Sequence, residues 1–451
     1  MVTIDRPVAV VTLFLLQVFA VSASAGVVKI TPERELSPQP AAVAERRVVN
    51  PGESEQVTGA GKIPGAALAS RLGELNADGK ITGVVLDART GKTLFDAGSG
   101  QAAVPASTTK IVTSTAVLAA VGPSTTLSTQ VVRKGSRLVL VGGGDPTLSS
   151  KEKPTSYPRP ASVADLARQT ADALKTEGVT RITVDYDSSL FDGSAMGPGW
   201  KPTYVTEGSV APINALMVDN GRSTPNPCEG TVTPVDNGPK AATQAFARYL
   251  SRYGVTAVVG RPASGKGGQE LAAVSSPPIS ELVEHLMQCS DNEVAEAMAR
   301  QVALKKNLPA SFEGAAQGVR ETLQSLGMGE GVAVQDGSGL SPLNRITPQA
   351  LARIVSLAAS GEHPELSSVL TGMPVGGFSG TLSERFIGLP SAGLVRAKTG
   401  TLNGVATLAG IAYDSSGRLL SFAFMANDAA DLAAARAALD KLADTVVTCA
   451  C

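Results

Sequence analysis

Two regions of the chain show the apolar and polar patterning that predicts β-strands. Residues 81–98 contain two β-rich runs around the polar turn 89–92, which predicts a hairpin. Residues 393–427 contain three more such runs joined by glycine-containing turns, which predicts three antiparallel strands. We therefore expect an antiparallel sheet as the centre of the fold.

Helical patterns accompany these strands. An apolar helix ending at a glycine is predicted over 105–122, an Ala-rich helix over 431–447 and a further helix over 63–75. Residues 279–306 predict two more helices, separated by the polar break 290–292. The predicted fold class is α/β (α+β): an antiparallel sheet covered by the first and last helices, with a helical lobe.

The middle of the chain differs from its two flanks in composition and in its predicted secondary structure. Short strands, one clear helix and loops rich in Pro and Gly predict an inserted mixed α/β domain over 135–274. The main domain would then combine 63–134 with 275–447. A flexible linker is expected over 26–62, and a short C-terminal tail over 448–451.

The N-terminus has the features of an export signal. Arg6 precedes an apolar run at 8–21, and the small residues 23–25 suit a cleavage site. Because the run is short for a membrane span, we expect residues 1–25 to be a removed signal peptide. A retained N-terminal anchor is the alternative. The predicted location is the periplasm, the cell envelope or the medium.

Composition excludes several functions. The chain has 39 Lys and Arg against 40 Asp and Glu, with no interleaved basic and aromatic patch, so nucleic acid is not an expected partner. Its two histidines argue against a Ser-His-Asp hydrolase and a zinc site, and no metal or other cofactor is expected. Four cysteines fit an oxidising compartment, where three complete pairings are open: Cys228, Cys289, Cys449 and Cys451.

A serine and a lysine lie three residues apart at the start of the helix 105–122. Ser107 and Lys110 therefore share one helical face, and the helix N-terminus favours negative charge near Ser107. Lys110 must lose its proton to act as a base, and burial or a second cation lowers a lysine pKa. Another Ser-x-x-Lys, at 150–153, lies in a run of charge and proline, which indicates a solvated loop.

Two further motifs follow in sequence order. Ser290, Asp291 and Asn292 form the single Ser-x-Asn of the chain, and they also suit the start of the helix that follows. The single Lys-(Ser/Thr)-Gly begins at Lys398, which is the candidate second cation. This ordered trio is the set described for penicillin-recognising serine enzymes, so we interpret the Ser-x-x-Lys of the apolar helix as a catalytic pair.

These motifs give the chain a resemblance to a known family. Over roughly residues 65–447 it resembles the class-C low-molecular-mass penicillin-binding proteins, which are D-alanyl-D-alanine carboxypeptidase/endopeptidases with a transpeptidase/β-lactamase-like fold. The segment 140–148, "LVGGGDPTL", resembles the family's entry into a large insertion. The segment 336–341, "DGSGLS", resembles a family stretch to which no chemistry is assigned here.

The resemblance implies a hydrolase of peptidoglycan stem peptides that end in D-Ala-D-Ala, with β-lactams as covalent inhibitors. Ser107 would attack the scissile carbonyl, Lys110 would accept its proton, and Ser290 with Lys398 would protonate the leaving D-alanine. The backbone N–H groups of Ser107 and Thr401 would form the oxyanion hole. Substrate binding would fall to Asn292, Lys398, Thr399, Gly400 and Thr401.

Two alternatives stay open from the sequence. A β-lactamase carries the same motifs, although the long insertion favours the carboxypeptidase. A non-catalytic cell-wall-binding protein with this fold is the second alternative, and the three intact motifs count against it. The preference between carboxypeptidase and endopeptidase activity is left open.

Overall fold

Five strands form the main antiparallel sheet. The structure, a computed structural model, describes residues 70, 80–223, 228 and 233–448. The strands of this sheet are β1 (Lys80–Asp87), β2 (Thr93–Ala97), β10 (Val395–Leu402), β11 (Val405–Tyr413) and β12 (Leu419–Asn427). Their order is β10-β11-β12-β1-β2, with every pair antiparallel. The predicted hairpin and the three predicted C-terminal strands are therefore confirmed.

The described part of the chain also contains helices that cover this sheet and form a separate lobe. They are α1 (Thr109–Ala120), α2 (Val163–Thr176), α3 (Thr203–Thr206), α4 (Gly238–Arg252), α5 (Ile279–Cys289), α6 (Asn292–Lys305), α7 (Phe312–Ser325), α8 (Pro348–Ala359), α9 (Ser367–Thr371) and α10 (Leu432–Thr448). Short 3-10 turns occur at Ala106–Thr108, Pro364–Leu366 and Gly380–Leu382.

The main sheet is buried on both faces. Successive residues of a strand point to opposite sides of the sheet, so each strand contributes side chains to two cores. Phe422 and Phe424 of β12 enter the core shared with α10, whereas Ala423 and Met425 enter the core of the helical lobe and α8. The prediction that the last helix covers the sheet is confirmed. Helix α8 covers the other face, and the helix predicted over 63–75 lies outside the described residues except for residue 70.

The helical lobe contains α1 and α5 to α9. Helix α1 packs against α6 and α7 and is buried along most of its length. The predicted polar break is confirmed: α5 ends at Cys289, and Ser290 adopts a left-handed conformation with φ 57°. Asp291 then caps α6 by accepting a hydrogen bond of 2.9 Å from the Val294 N–H.

A second, mixed sheet is built from the middle of the chain. Its strands are β3 (Ser128–Lys134), β4 (Arg137–Val141), β5 (Arg181–Asp187), β6 (Thr256–Pro262) and β7 (Gln269–Ser275), in the order β6-β5-β4-β3-β7. Helices α2 and α4 pack on it. A two-stranded pair, β8 (Val332–Ala333) and β9 (Arg345–Ile346), completes the strands. The α/β (α+β) fold class is confirmed, while the exact domain boundaries remain a prediction.

Several predictions concern residues beyond the described part of the chain. The signal peptide at 1–25, the linker at 26–62, Cys449 and Cys451 all lie outside it. Among the helices that are described, none combines the length and the apolar character needed to span a bilayer.

One disulfide joins the middle region to the helical lobe. Cys228 is bonded to Cys289, the last residue of α5, with their Cα atoms 4.7 Å apart. The cross-link spans 61 residues of sequence. The sequence left the cysteine pairing open, and the structure pairs these two. The disulfide anchors the end of α5 immediately before Ser290.

Removing this disulfide should lower stability. Replacing both Cys228 and Cys289 by serine is expected to reduce the free energy of unfolding by about 4 kcal/mol, because the unfolded chain loses a long cross-link. Urea unfolding of both proteins measures the difference. Non-reducing peptide mapping tests the pairing itself, and a peptide that joins Cys289 to Cys449 or Cys451 would contradict it.

Candidate active site

Ser107 lies in a tight turn at the start of α1. The turn is the 3-10 segment Ala106–Thr108. Ala106 has φ 47°, a backbone conformation that residues other than glycine rarely adopt. A loop glycine packs against this turn: a Cβ on Gly339 would lie 1.9 Å from the Ala106 carbonyl oxygen. The turn leaves Ser107 partly exposed, while the helix that follows is buried.

Lys110 is fully buried one helical turn after Ser107. Its Nζ donates to Ser107 Oγ at 3.1 Å, to Asn292 Oδ1 at 2.7 Å and to the Ser338 carbonyl oxygen at 2.7 Å. An ammonium group has three protons, so these three acceptors use all of them. After loss of one proton, the amine lone pair can accept the Ser107 hydroxyl proton.

The surroundings of Lys110 favour loss of its proton. Burial lowers the pKa of Lys110 from 10.5 to about 8, although nearby carboxylates, Asp336 and Glu296 first among them, oppose this shift. The sequence analysis predicted that burial would lower the pKa of Lys110, and the buried position of Lys110 agrees with that prediction. The expected second cation, Lys398, is not among the groups that shift the pKa of Lys110; the charge of Lys110 instead lowers the pKa of Lys398.

Ser290 contacts the second lysine. Lys398 Nζ donates to Ser290 Oγ and to the Thr399 carbonyl oxygen, each at 2.9 Å. Lys398 is fully buried, and burial together with the charges of Lys110 and Arg385 holds its pKa well below the usual value. The left-handed backbone at Ser290 turns its side chain toward strand β10, where Lys398 lies.

Asn292 is fixed at both ends of its side-chain amide. Its Oδ1 accepts from Lys110, and its Nδ2 donates to the Ser209 carbonyl oxygen at 2.8 Å. The neighbouring Asp291 carboxylate is buried and accepts hydrogen bonds from Asn220 Nδ2 and from His285 Nε2. Groups from the middle region therefore help to position the Ser-x-Asn motif.

The segment 336–341, to which the sequence assigned no chemistry, orients one acceptor of Lys110. Glu296 on α6 accepts from the Gly337 N–H and from the Ser338 N–H at 2.7 Å. Asp336 accepts from the Gly339 N–H at 2.9 Å and from Trp200 Nε1 at 2.8 Å. These bonds aim the Ser338 carbonyl at the lysine. A detectable signal existed: Glu296 is an acidic residue four positions after Asn292 on a helix of small apolar residues.

The third motif lies on β10, beside the nucleophile. Thr399 Oγ1 donates to Thr381 Oγ1 at 2.9 Å, and Thr401 Oγ1 accepts from Arg436 at 3.2 Å. Gly400 allows close approach of the strand: a Cβ there would lie 2.7 Å from the Pro105 carbonyl oxygen and 3.0 Å from the Ser107 nitrogen. The sequence identified neither Thr381 nor Arg436.

The structure brings the three motifs into one site. Lys110 links Ser107 to Asn292, Lys398 contacts Ser290, and Gly400 adjoins the Ser107 amide. The partly exposed hydroxyl and amide groups border solvent, while both lysines lie beneath them. Such an arrangement suits nucleophilic attack by serine with a lysine base.

Comparisons with known proteins identify the family of the chain. A family model described as D-Ala-D-Ala carboxypeptidase 3 (S13) matches residues 65–239 and 225–446. A carboxypeptidase of Mycobacterium tuberculosis is 38% identical over 361 residues, which are 77% of this chain and 76% of that protein. Carboxypeptidase DacB of Mycolicibacterium smegmatis is 36% identical over 370 residues, 79% of this chain and 78% of its own.

Solved structures share the fold. Penicillin-binding protein 4 of Haemophilus influenzae superposes with a TM-score of 0.70 at 23% identity, over 85% of this chain and 98% of that chain. The same protein complexed with a β-lactam gives a TM-score of 0.64 at 22% identity, over the same shares of both chains.

The fold and the Ser–Lys site define a serine acyl-transfer enzyme. The chain belongs to the D-Ala-D-Ala carboxypeptidase 3 (S13) family. The predicted resemblance and the predicted activity class, a serine D-Ala-D-Ala carboxypeptidase, are confirmed by this membership. The roles of the individual residues remain predictions.

Adding a methyl group at Gly400 should separate β10 from the nucleophile. In Gly400→Ala, the new Cβ would lie 2.7 Å from the Pro105 carbonyl oxygen and 3.0 Å from the Ser107 nitrogen, so the strand must move away from the turn that holds Ser107. We expect kcat/KM for a D-Ala-D-Ala peptide to fall about a hundredfold, the cost of a small displacement of reacting groups. Gly100→Ala, at a position with open space, is the matched control. Equal activity of the two variants would contradict the close-approach argument.

Proposed function

We propose that this protein hydrolyses the bond between the two terminal D-alanines of peptidoglycan stem peptides through an acyl-enzyme on Ser107. The observation that carries the proposal is the hydrogen bond of 3.1 Å between Ser107 Oγ and the fully buried Lys110 Nζ. A buried amine beside a helix-terminal serine hydroxyl is the base that such a nucleophile needs.

Acylation begins with attack of Ser107 Oγ on the carbonyl carbon of the penultimate D-alanine. Lys110 Nζ accepts the hydroxyl proton as the new C–O bond forms, and the carbonyl oxygen becomes an oxyanion. The backbone N–H groups of Ser107 and Thr401 donate to this oxyanion. Gly400 supports the arrangement, because it lets β10 approach the Ser107 amide.

Collapse of the tetrahedral intermediate releases D-alanine. The C–N bond breaks, and the leaving nitrogen takes a proton that Ser290 passes on from Lys398, which contacts its hydroxyl at 2.9 Å. Lys110 then loses to solvent the proton that it took from Ser107, and Lys398 regains a proton from solvent. A water molecule attacks the ester while the neutral Lys110 accepts its proton and passes it to the departing Ser107 Oγ, which regenerates the hydroxyl. Burial lowers the pKa of Lys110 to about 8 and holds that of Lys398 well below its usual value, which favours proton exchange at both lysines.

Substrate positioning uses the remaining motif residues. Thr399 and Thr401 on β10, with Lys398, hold the terminal carboxylate, and Asn292 bonds the peptide amide. Each end of the Asn292 amide makes one hydrogen bond in the free protein and has capacity for another. β-Lactams acylate Ser107 in the same way, and their tethered leaving group delays the attack of water.

The alternatives from the sequence predict different behaviour. A β-lactamase would release hydrolysed penicillin quickly, and a wall-binding protein would cleave no peptide. Family membership favours the carboxypeptidase. We also infer that the enzyme acts at the cell envelope after export, where its substrate lies, and that cross-linked stem peptides are a second substrate class.

The nucleophile assignment is tested by intact-mass analysis with penicillin. Wild-type protein is expected to gain one penicillin mass that persists for minutes or longer, and Ser107→Ala is expected to gain none. Ser150→Ala, in the second Ser-x-x-Lys sequence, is the matched control and should be labelled like the wild type. Labelling of Ser107→Ala would overturn the assignment, and rapid loss of the adduct with penicillin breakdown would support the β-lactamase.

The acylation rate should rise with pH as Lys110 loses its proton. Because burial lowers the pKa of Lys110 to about 8, the neutral fraction grows between pH 6 and 9. We expect the second-order acylation constant to increase over this window with a midpoint near 8, measured by stopped-flow with a chromogenic β-lactam. Lys110→Arg keeps a positive charge and should acylate at least about a hundredfold more slowly. A profile that falls over the same window would contradict the role of Lys110.

A further inference from the structure

Arg436 on helix α10 reaches across to strand β10. Its Nη2 donates to Thr401 Oγ1 at 3.2 Å, beside the proposed carboxylate site. The side chain is exposed, and within the described residues its guanidinium forms no ion pair with an acid. An arginine is permanently charged and has five N–H donors, so most of its donors stay available.

Neighbouring cations do not supply the same charge. Arg385 forms an ion pair with Asp440 at 2.6 Å, so a carboxylate of the protein already binds its guanidinium. Lys398 is buried, and its lowered pKa leaves its charge dependent on what binds nearby. Arg436 is therefore the permanent, unbalanced cation next to Thr401.

The direction of the hydrogen bond adds a second argument. Arg436 can only donate, so it occupies a lone pair of Thr401 Oγ1. The hydroxyl proton of Thr401 has no acceptor among residues 80–223, 228 and 233–448. This proton and the free guanidinium donors can both reach an anion, and a carboxylate accepts from two donors at once.

We propose that Arg436 is a specificity-determining residue, which binds the free α-carboxylate of the amino acid released by cleavage and thereby selects peptides with an unblocked C-terminus. This inference rests on the proposed function and extends it to a residue outside the three motifs. Arg436 is attached to the last helix, and only folding brings it to β10. It contacts the leaving residue and takes no part in proton transfer.

The test compares two substrates across four proteins. The substrates are a diacylated L-Lys-D-Ala-D-Ala tripeptide and its C-terminal amide, with release of the last residue measured by mass spectrometry over long incubations. The proteins are wild type, Arg436→Ala, Arg436→Lys and Lys441→Ala, the last being a control that removes an exposed cation from the same helix.

Arg436→Ala should lower kcat/KM for the free acid about tenfold, mainly through KM, because the carboxylate is bound in both ground and transition states. Its rate on the amide should match the wild type. Arg436→Lys, which keeps the charge without the planar fork, should lie between the two. Lys441→Ala should behave as wild type on both substrates.

Three results would count against the proposal. Unchanged kcat/KM for the free acid in Arg436→Ala would overturn it, and so would equal losses on acid and amide, which indicate a structural role. A matching loss in Lys441→Ala would show a diffuse charge effect instead of carboxylate binding. Failure of the proposed function is distinct, because wild type would then release the last residue from neither substrate.

Discussion

Two lysine side chains, Lys110 and Lys398, are buried where the main sheet meets the helical lobe, and the active site depends on their desolvation. An ammonium group loses strong hydration on burial, so polar protein groups must replace the water. Lys110 has three such acceptors and Lys398 has two, drawn from helices, a strand and loops that are distant in sequence. The site is therefore complete only in the folded chain. The acceptors do not fully replace the lost hydration of the two ammonium groups, so the pKa values of both lysines are lowered.

Buried carboxyl groups limit how far this lowering goes. Glu296 and Glu293 lie on the same helix as Asn292, and burial raises their pKa values to about 7 and about 8. Glu296 also binds two N–H groups of the loop that presents the Ser338 carbonyl to Lys110. Glu293 binds the Ala211 N–H and Arg222 of the middle region. The same acids thus set the charge balance and fix the backbone that compensates Lys110.

The sequence indicated the three motifs better than it indicated the groups that surround them. The contact between Ser107 and Lys110, the Ser-x-Asn break and the C-terminal strands follow from local spacing and periodicity, which short-range geometry determines. The third acceptor of Lys110 does not: Ser338 contributes a carbonyl, and a backbone carbonyl leaves no residue-type signal. The face of the sheet covered by α8 and the Asn220 contact to Asp291 depend on tertiary packing, which the predicted elements did not specify.

Charge also explains why an anionic substrate suits this site. Lys398 lies near the cations of Lys110 and Arg385, and these repulsions, added to burial, favour its neutral form. In the proposed complex, a carboxylate beside Thr401 would offset that repulsion and raise the pKa of Lys398. With the substrate bound, Lys398 would then take up a proton from solvent, and this is the proton that it passes through Ser290 to the leaving group. Arg436 keeps its charge throughout, so it can attract the carboxylate before Lys398 gains its proton.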